Sequence, residues 1–172
     1  MTAPDLRLDP VQGFNFHVAL IDASSTLATA TSAVSFVAAG GFSECSGLEG
    51  TLQIEEYPEG GENRFVHRFP TRMTYPNIVL RRGVGIGEDL WLWHFDYVSG
   101  KGKRRDGIIT LRSELHAPVK VWVFRRGLPL KWSGPTLNAT QSAVAIESLE
   151  IAHEGLELLS PGTAVAAIAA AL

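Results

Sequence analysis

The chain is poor in the features that mark secreted, disulfide-stabilised and membrane-spanning proteins. Among its 172 residues Cys45 is the only cysteine, so no disulfide can form within the chain. No apolar run approaches the roughly 20 residues that span a bilayer, and the first residues lack the basic and apolar regions of a secretory signal peptide. We therefore expect one domain over residues 1–160, made and folded in the cytoplasm, followed by a short C-terminal tail at residues 161–172.

The chain also lacks a large excess of positive or negative charge. The 15 Lys and Arg residues nearly balance 18 Asp and Glu residues, which gives a formal net charge of −3. A protein with this balance binds polyanions poorly as a whole. The basic run KGKRRDG, residues 101–107, has no interleaved aromatic residues that could stack on bases. It is interpreted as a solvated loop or as an electrostatic contact to an acidic partner, such as another copy of the chain.

Motifs for catalysis, metal binding and cofactor binding are missing as well. Gly83, Gly85 and Gly87 lead into a predicted helix, but their spacing fails the dinucleotide-binding fingerprint, and no P-loop lysine follows. None of the five histidines has a second histidine or a cysteine two or four residues away. Cys45 has no glycine elbow or paired base, so it is interpreted as a buried structural residue. We expect no enzyme activity, no metal and no cofactor.

The sequence does contain a series of segments whose polarity alternates with period two, as is typical of half-buried β-strands. A single helix pattern interrupts them, which predicts one mainly β, antiparallel domain with one helix. Strands are predicted at residues 14–22, 48–55, 64–69, 75–82, 106–114, 118–127 and 144–151, the last with a bulge at Ser148. Residues 23–35 and the Gly- and Pro-rich residues 127–135 are predicted to be loops.

The longest predicted hairpin, residues 48–69, has an acidic tip. Gly60 and Gly61 permit a tight reversal, and Glu59, Glu62 and Asn63 are placed to meet donors or basic groups on another molecule. Polar and apolar side chains alternate along its first strand, which predicts that one face packs on the core and the other faces water. The predicted core-facing residues are Leu48, Leu52 and Ile54, and the predicted water-facing residues are Glu49, Thr51, Gln53 and Glu55.

Residues 88–99 form the one convincing helix pattern, with acidic residues at the end where the helix dipole favours them. Two apolar stripes run along this helix, Leu90, Trp93, His94 and Tyr97 on one side and Trp91, Phe95 and Val98 on another. A helix with so little polar surface is unsuited to the exterior of a monomer, so we expect ordered self-association. The acidic tip and the basic clusters at residues 81–82, 103–105 and 125–126 are expected to help set its register.

The sequence resembles the tail tube proteins of contractile phages and of phage-tail-like contractile injection systems, from about Asp9 to Leu158. Several segments carry the resemblance in the order in which the family has them. They are DPVQGFNFHV, GGFSECSGLEG, EYPEGGEN, YPNIVLRRGV, LWLWHFDYVSGKGKRRDGIITL, KWSGPTLNA and VAIESLEIAHEGLE.

The resemblance implies a β-sandwich of two packed antiparallel sheets with one flanking helix, in which six copies join edge to edge into a continuous β-barrel ring. Rings of this family stack into a hollow tube inside a contractile sheath. The implied partners are further copies of the chain, the sheath protein, baseplate or hub proteins, cap or terminator proteins, and luminal cargo, which is DNA or protein effectors. Neither stable membrane association nor sequence-specific nucleic-acid binding is implied. The implied location is a phage tail or injection particle, and release of that particle from the cell is one alternative.

Together with the residue patterns, this resemblance assigns expected contact residues. Contacts between subunits or rings are expected at Glu59, Gly60, Gly61, Glu62, Asn63, Trp91, Trp93 and Phe95. The lumen is expected to be lined by residues that include Glu49, Thr51, Gln53 and Glu55.

Two segments depart from the family's usual pattern. Residues 23–39 are longer than the usual connection, and the tail beyond Ser160 is additional. They are interpreted either as marks of a specialised ring or as surface insertions. The alternatives to a shaft tube protein are a tube-initiating or baseplate-proximal ring, a secreted ring-forming effector carrier, and an enzyme with a pocket around His94, Asp96 or Cys45.

Overall fold

A computed structural model of the chain describes residues 12–22, 38–85 and 87–160. The predicted loop at residues 23–35 and the tail at residues 161–172 lie outside the described residues. The described ranges contain ten strands and one helix, and no helix in them is long and apolar enough to cross a membrane. The elements are β1 Phe16–Asp22, β2 Ala38–Gly40, β3 Glu44–Ser46, β4 Thr51–Tyr57, β5 His67–Thr74, β6 Ile78–Gly83, α1 Asp89–Val98, β7 Arg105–Arg112, β8 Pro118–Ser133, β9 Ile146–Ala152 and β10 Gly155–Leu159.

Strand β8, with 16 residues, belongs to two sheets. Its first part pairs with β7 and β10, and β7 continues to β1 and β2; we call these strands the first sheet. Its last part, residues 128–133, pairs with β9, which continues to β6 and β3 as the second sheet. The strand changes sheet at Gly127, where a Cβ atom would lie 2.7 Å from the Phe124 side chain and 2.8 Å from the Arg105 carbonyl oxygen. That close approach favours glycine at this position.

Both sheets and helix α1 bury one shared apolar core. Its least exposed members are Val18, Leu20, Ile78, Leu80, Leu90, Trp93, Ile109, Phe124, Leu149 and Ile151. The helix contributes Leu90 and Trp93, and the Trp93 indole nitrogen donates a hydrogen bond of 2.9 Å to the carbonyl oxygen of Lys103. The predicted mainly β fold of packed antiparallel sheets with one flanking helix is confirmed.

The predicted bulge at Ser148 is wrong, because the residue that interrupts the apolar alternation of β9 is a buried carboxylate. Glu147 is buried and Ile146 is exposed. β9 pairs with β6 through Ser148 without a register shift. A carboxylate is rarely buried unless it is paired, so an acidic residue in an alternating strand is normally assigned to the exposed face. With Glu147 assigned to that face, the sequence pattern could not distinguish this strand from a bulged one.

Glu147 is stabilised by an ionic cluster that attaches the start of helix α1 to the second sheet. The Arg82 guanidinium donates to Glu147 at 2.6 Å and to Asp89, in the first turn of α1, at 2.8 Å. The Trp132 indole nitrogen donates to the second oxygen of Glu147 at 3.0 Å. These charge-assisted hydrogen bonds pair the carboxylate of Glu147 and the guanidinium of Arg82, which would otherwise lie unpaired in the second sheet.

The loop predicted at residues 127–135 is also mostly wrong, because residues 127–133 form the last part of β8. Gly127 and Pro129 resemble turn residues in sequence. In the structure Gly127 marks the change of sheet, and the pairing register with β9 shifts between Pro129 and Lys131. Such an irregularity accommodates a proline that cannot donate to the ladder.

Hairpin β4–β5 forms a separate two-stranded sheet, and every residue of β4 is exposed. Leu52 and Ile54 were predicted to face the core, but they are 51% and 50% exposed, so this prediction is wrong. Only Leu48, which precedes the strand, packs on the core. The alternation determines which side chains share a face of the hairpin, but it does not determine whether the chain covers that face.

Truncation of Trp93 should destabilise the subunit far more than truncation of Phe95. Trp93→Ala empties a site that is 1% exposed, and we expect it to lower the free energy of unfolding by about 3–5 kcal/mol. Phe95 is 44% exposed and should lose much less. Denaturant unfolding of both variants measures the difference, and equal losses would contradict the assignment of Trp93 to the core.

Removal of the buried carboxylate tests the ionic cluster. Glu147→Ala leaves Arg82 with one acidic partner instead of two and removes the acceptor of Trp132, so we expect a loss of about 1.5–3 kcal/mol in unfolding free energy. Glu157→Ala is the matched control, because its ion pair with Arg125 is long, at 3.6 Å, and largely exposed. The control should cost about 1 kcal/mol or less. Similar losses for the two variants would exclude a structural role specific to the cluster.

Candidate assembly interface

Hairpin β4–β5 has two different faces, which its cross-strand register defines. Leu52 pairs with Met73, and Ile54 pairs with Pro70, so these side chains lie on one side. We call this side the aliphatic face. Leu52, Ile54 and Met73 are 51%, 50% and 47% exposed, so the chain itself covers little of it.

The opposite side of the hairpin, which we call the aromatic face, mixes aromatic and polar side chains. Glu55 pairs with Phe69, and Tyr57 pairs with His67. The His67 ring stacks on Phe69 with ring centroids 6.2 Å apart and meets the Phe65 ring edge-on at 5.0 Å. The predicted water-facing Glu55 therefore shares its face with aromatic rings, which the alternation of β4 alone did not indicate.

The acidic tip is closed by contacts within the hairpin. The Arg64 side chain donates to both carboxylate oxygens of Glu62, at 2.9 and 2.8 Å, and its backbone nitrogen donates at 2.9 Å. These hydrogen bonds hold the pKa of Glu62 below its ordinary value. Glu59 contacts the His67 ring at 3.1 Å, and Gly61 takes a φ of 96° in the reversal. Any contact of these acids with another molecule must therefore compete with bonds inside the hairpin.

Helix α1 turns one aromatic side to the core and another outward. The expected contact of Trp93 with a second subunit is corrected, because this side chain is 1% exposed and has no surface to present. Trp91 and Phe95 stack with centroids 5.5 Å apart, and Trp91 meets Trp132 of β8 edge-on at 4.7 Å. Trp91, Phe95 and Val98, at 39%, 44% and 73% exposure, form an outward aromatic patch.

The basic clusters that were expected to set the register between copies carry carboxylate partners within the chain. The ion pairs are Arg81 with Glu44 at 3.0 Å, Arg104 with Glu154 at 2.9 Å, Arg125 with Asp106 at 3.3 Å and Arg126 with Glu154 at 3.0 Å. Exposed pairs of this kind contribute little to stability. They do reduce the unpaired charge that these clusters can present, so the apolar surfaces remain the stronger argument for self-association.

Cys45, one of the residues singled out for chemistry, is positioned as a structural residue. Burial, with a smaller effect of the neighbouring Glu44, raises the pKa of the Cys45 thiol to about 11, so it stays protonated at neutral pH. Cys45 packs against the apolar core. Within the described ranges, no three His, Cys, Asp or Glu side chains converge in a group that could hold a metal ion.

The chain matches the family of the T4-like virus tail tube protein gp19 over residues 12–157. A search of curated proteins found no match. Among solved structures, a chain of the anti-feeding prophage baseplate has a TM-score of 0.74 and 24% identity, with 88% of this chain and 97% of that chain covered. A chain of the PVC sheath–tube complex, from an extracellular contractile injection system, has a TM-score of 0.71 and 20% identity, with 90% and 94% covered. A chain of the PVC sheath/tube terminator has a TM-score of 0.69 and 20% identity, with 88% and 97% covered.

The family match spans most of the chain, so the protein belongs to the T4-like tail tube protein family. At these identities the solved structures show that the fold is shared. The protein is thus a structural component of a tail tube, and the hairpin and the outward aromatic patch are its candidate contact surfaces.

Loss of Arg64 should return the pKa of Glu62 toward its ordinary value. The depressed pKa means that the Glu62 carboxylate holds Arg64 at neutral pH and releases it as the pH falls through the lowered pKa. Arg64→Ala removes the donors, and NMR titration of the Glu62 side chain measures the shift. Arg68→Ala, which breaks the ion pair with Glu56, is the control and should leave the Glu62 titration unchanged. An unchanged Glu62 pKa in Arg64→Ala would refute the closed tip.

Proposed function

We propose that six copies of this chain join edge to edge into a ring, and that the rings stack into a hollow tube inside a contractile sheath, which conducts cargo on contraction. The observation that carries the proposal is the hairpin β4–β5, whose large apolar side chains are exposed on both faces. They are Leu52, Ile54, Tyr57, Phe65, Val66, Phe69 and Met73, all between 43% and 59% exposed. A soluble monomer rarely leaves so much apolar surface in one place, whereas a subunit of a permanent assembly covers it with a neighbour.

The edges of the second sheet support closure into a ring. In the described part of the chain this sheet ends at β3 on one side and at residues 128–133 of β8 on the other. Unpaired edge strands expose backbone donors and acceptors that favour pairing with another chain. Pairing β3 of one copy with the end of β8 in the next copy satisfies both edges, and repetition of this contact closes a barrel.

The hairpin and the helix are assigned to different contacts. The aliphatic face of the hairpin packs against a neighbouring subunit, and the tip, formed by Glu59, Gly60, Gly61, Glu62 and Asn63, reaches that subunit or the next ring. The outward aromatic patch with Trp91 and Phe95 forms a second contact. The lumen-facing role of Glu49, Thr51, Gln53 and Glu55 stays a prediction, and all four residues are exposed.

The proposed partners are a sheath protein, baseplate or hub proteins, a cap or terminator, and luminal cargo. The similar solved chains come from baseplate, sheath–tube and terminator assemblies, so they do not favour a baseplate-proximal ring over a shaft tube. We propose no catalytic activity for the chain. We also propose that assembly takes place in the cytoplasm and that the tube acts as part of the finished particle.

A charge placed on the aliphatic face should prevent assembly without unfolding the subunit. Ile54→Asp replaces a side chain that is 50% exposed and lies outside the core, so we expect native circular dichroism but loss of rings and tubes. Size-exclusion chromatography with light scattering and negative-stain microscopy measure the outcome. The reason is that an unpaired carboxylate would be buried in the new interface.

Leu115→Asp is the matched control for this experiment. Leu115 is 90% exposed in the turn between β7 and β8, so the same change there should leave rings and tubes intact. Normal tubes from Ile54→Asp would contradict the hairpin contact. A wild-type chain that stays monomeric at high concentration, and that is absent from sheathed particles, would overturn the proposed function itself.

A further inference from the structure

On the outer face of the second sheet two rows of side chains cross all four strands, and the next cross-strand pair on this face, Gly83 with Ile146, adds an exposed isoleucine. The first row contains Glu44, Arg81, Ser148 and Ser133, and the second contains Ser46, Val79, Glu150 and Lys131. We call this surface the wall face. Residues that alternate with them, such as Cys45, Leu80 and Leu149, pack in the core, so the wall face points away from the core.

Acidic and basic side chains balance one another on the wall face. The Arg81 guanidinium donates to Glu44 at 3.0 Å, and the two side chains are 51% and 49% exposed. Lys131 is the direct cross-strand partner of Glu150, which also accepts a hydrogen bond of 2.7 Å from Asn77. Two acids and two bases sum to zero net charge, and three of the remaining four side chains in the rows are serines.

The centre of the outer face of the first sheet is apolar and is already buried within the subunit. Val121 and Val123 are 2% and 5% exposed there and form a separate apolar cluster with Ile108 and Leu159. Side chains that the subunit itself buries cannot line a water-filled channel, whereas Arg81 and Glu44 on the wall face are about half exposed. Of the two outer faces, the wall face is therefore the one suited to line a channel.

The wall face is also continuous with the proposed ring contacts. β3 and residues 128–133 of β8 are the edge strands of this same sheet, and hairpin β4–β5 leaves the sheet after β3 and returns to it at β6. A barrel closed through these edges has one face of the second sheet as its inner surface. The other face is occupied by the core that the two sheets share.

We infer, on the basis of the proposed tube, that the wall face lines the channel and that its paired charges make the channel nearly neutral, so that polypeptide cargo of either net charge can pass. A channel of one sign would repel like-charged cargo and retain cargo of the opposite sign. The fields of neighbouring acidic and basic side chains cancel at longer range, and salt screens the remaining field within roughly 10 Å. The Glu44 carboxylate beside Arg81 would repel a phosphate group, so the face is not built to hold nucleic acid.

The location of the wall face can be tested by the accessibility of single thiols in assembled tubes. In a Cys45→Ala background, Ser46→Cys or Ser133→Cys becomes the only thiol, and Leu115→Cys serves as the exterior control. We expect a small maleimide to label all three in tubes. A maleimide on a long polyethylene glycol chain should label only Leu115→Cys until the tubes are dissociated. Polymer labelling of both wall thiols in intact tubes would overturn the inference but leave the tube standing, whereas absence of tubes in the wild-type chain would overturn both.

The charge of the wall is tested in the same tubes with a cationic and an anionic methanethiosulfonate of equal size. For Ser133→Cys we expect the ratio of the two reaction rates to lie within about twofold of the ratio for a free thiol, because a wall of one sign would create a potential of several kT. Glu44→Gln with Glu150→Gln should favour the anionic reagent by about fivefold or more, and Arg81→Gln with Lys131→Gln should favour the cationic reagent similarly. Glu114→Gln with Glu157→Gln, the control of equal charge change, should leave the ratio unchanged. If the ratio of the two reaction rates in Ser133→Cys tubes without charge substitutions differs about fivefold from that of a free thiol, the wall is not neutral. That result would overturn the inference and favour cargo of one charge, such as a nucleic acid.

Discussion

Strand β8 is the constraint on which the rest of the structure depends, because one continuous strand belongs to both sheets. Its first part completes the first sheet, and residues 128–133 form an edge of the second, so the sheets cannot move apart without breaking a strand. Gly127 makes the change of sheet possible, since a side chain there would collide with Phe124 and with the backbone of Arg105. The two sheets then enclose the core into which helix α1 inserts Trp93.

Stability and the proposed assembly contacts reside in different parts of this tail tube protein. The shared core and the ionic cluster of Arg82, Asp89 and Glu147 maintain the body of the subunit. Hairpin β4–β5 pairs only with itself among the described elements and leaves its aliphatic face in water. Its tip is nevertheless ordered by Arg64 and Glu62, so the hairpin has a defined shape before any neighbour binds. Preorganisation of this kind reduces the entropy lost on association.

Local pattern was sufficient for most of the elements and failed at identifiable residues. The helix predicted at residues 88–99 is observed at Asp89–Val98, and the hairpin with its Gly60–Gly61 tip forms as predicted. Residues 127–133 were missed because glycine and proline mark turns in sequence but mark a change of sheet here. Glu147 was missed because its partner Arg82 is 65 residues away, and nothing near Glu147 in the chain indicates that it is buried.

By itself the sequence determined an antiparallel β domain with one helix and membership of the tail tube family, since period-two alternation and short motifs depend only on neighbouring residues. Only the tertiary structure decided which faces are covered. It left Leu52 and Ile54 exposed, placed Trp93 inside and Trp91 outside, and joined Glu44 to Arg81 across 37 residues. The physical reason is that burial and charge pairing depend on strand register and on how sheets pack, and these bring together residues that are remote in the chain.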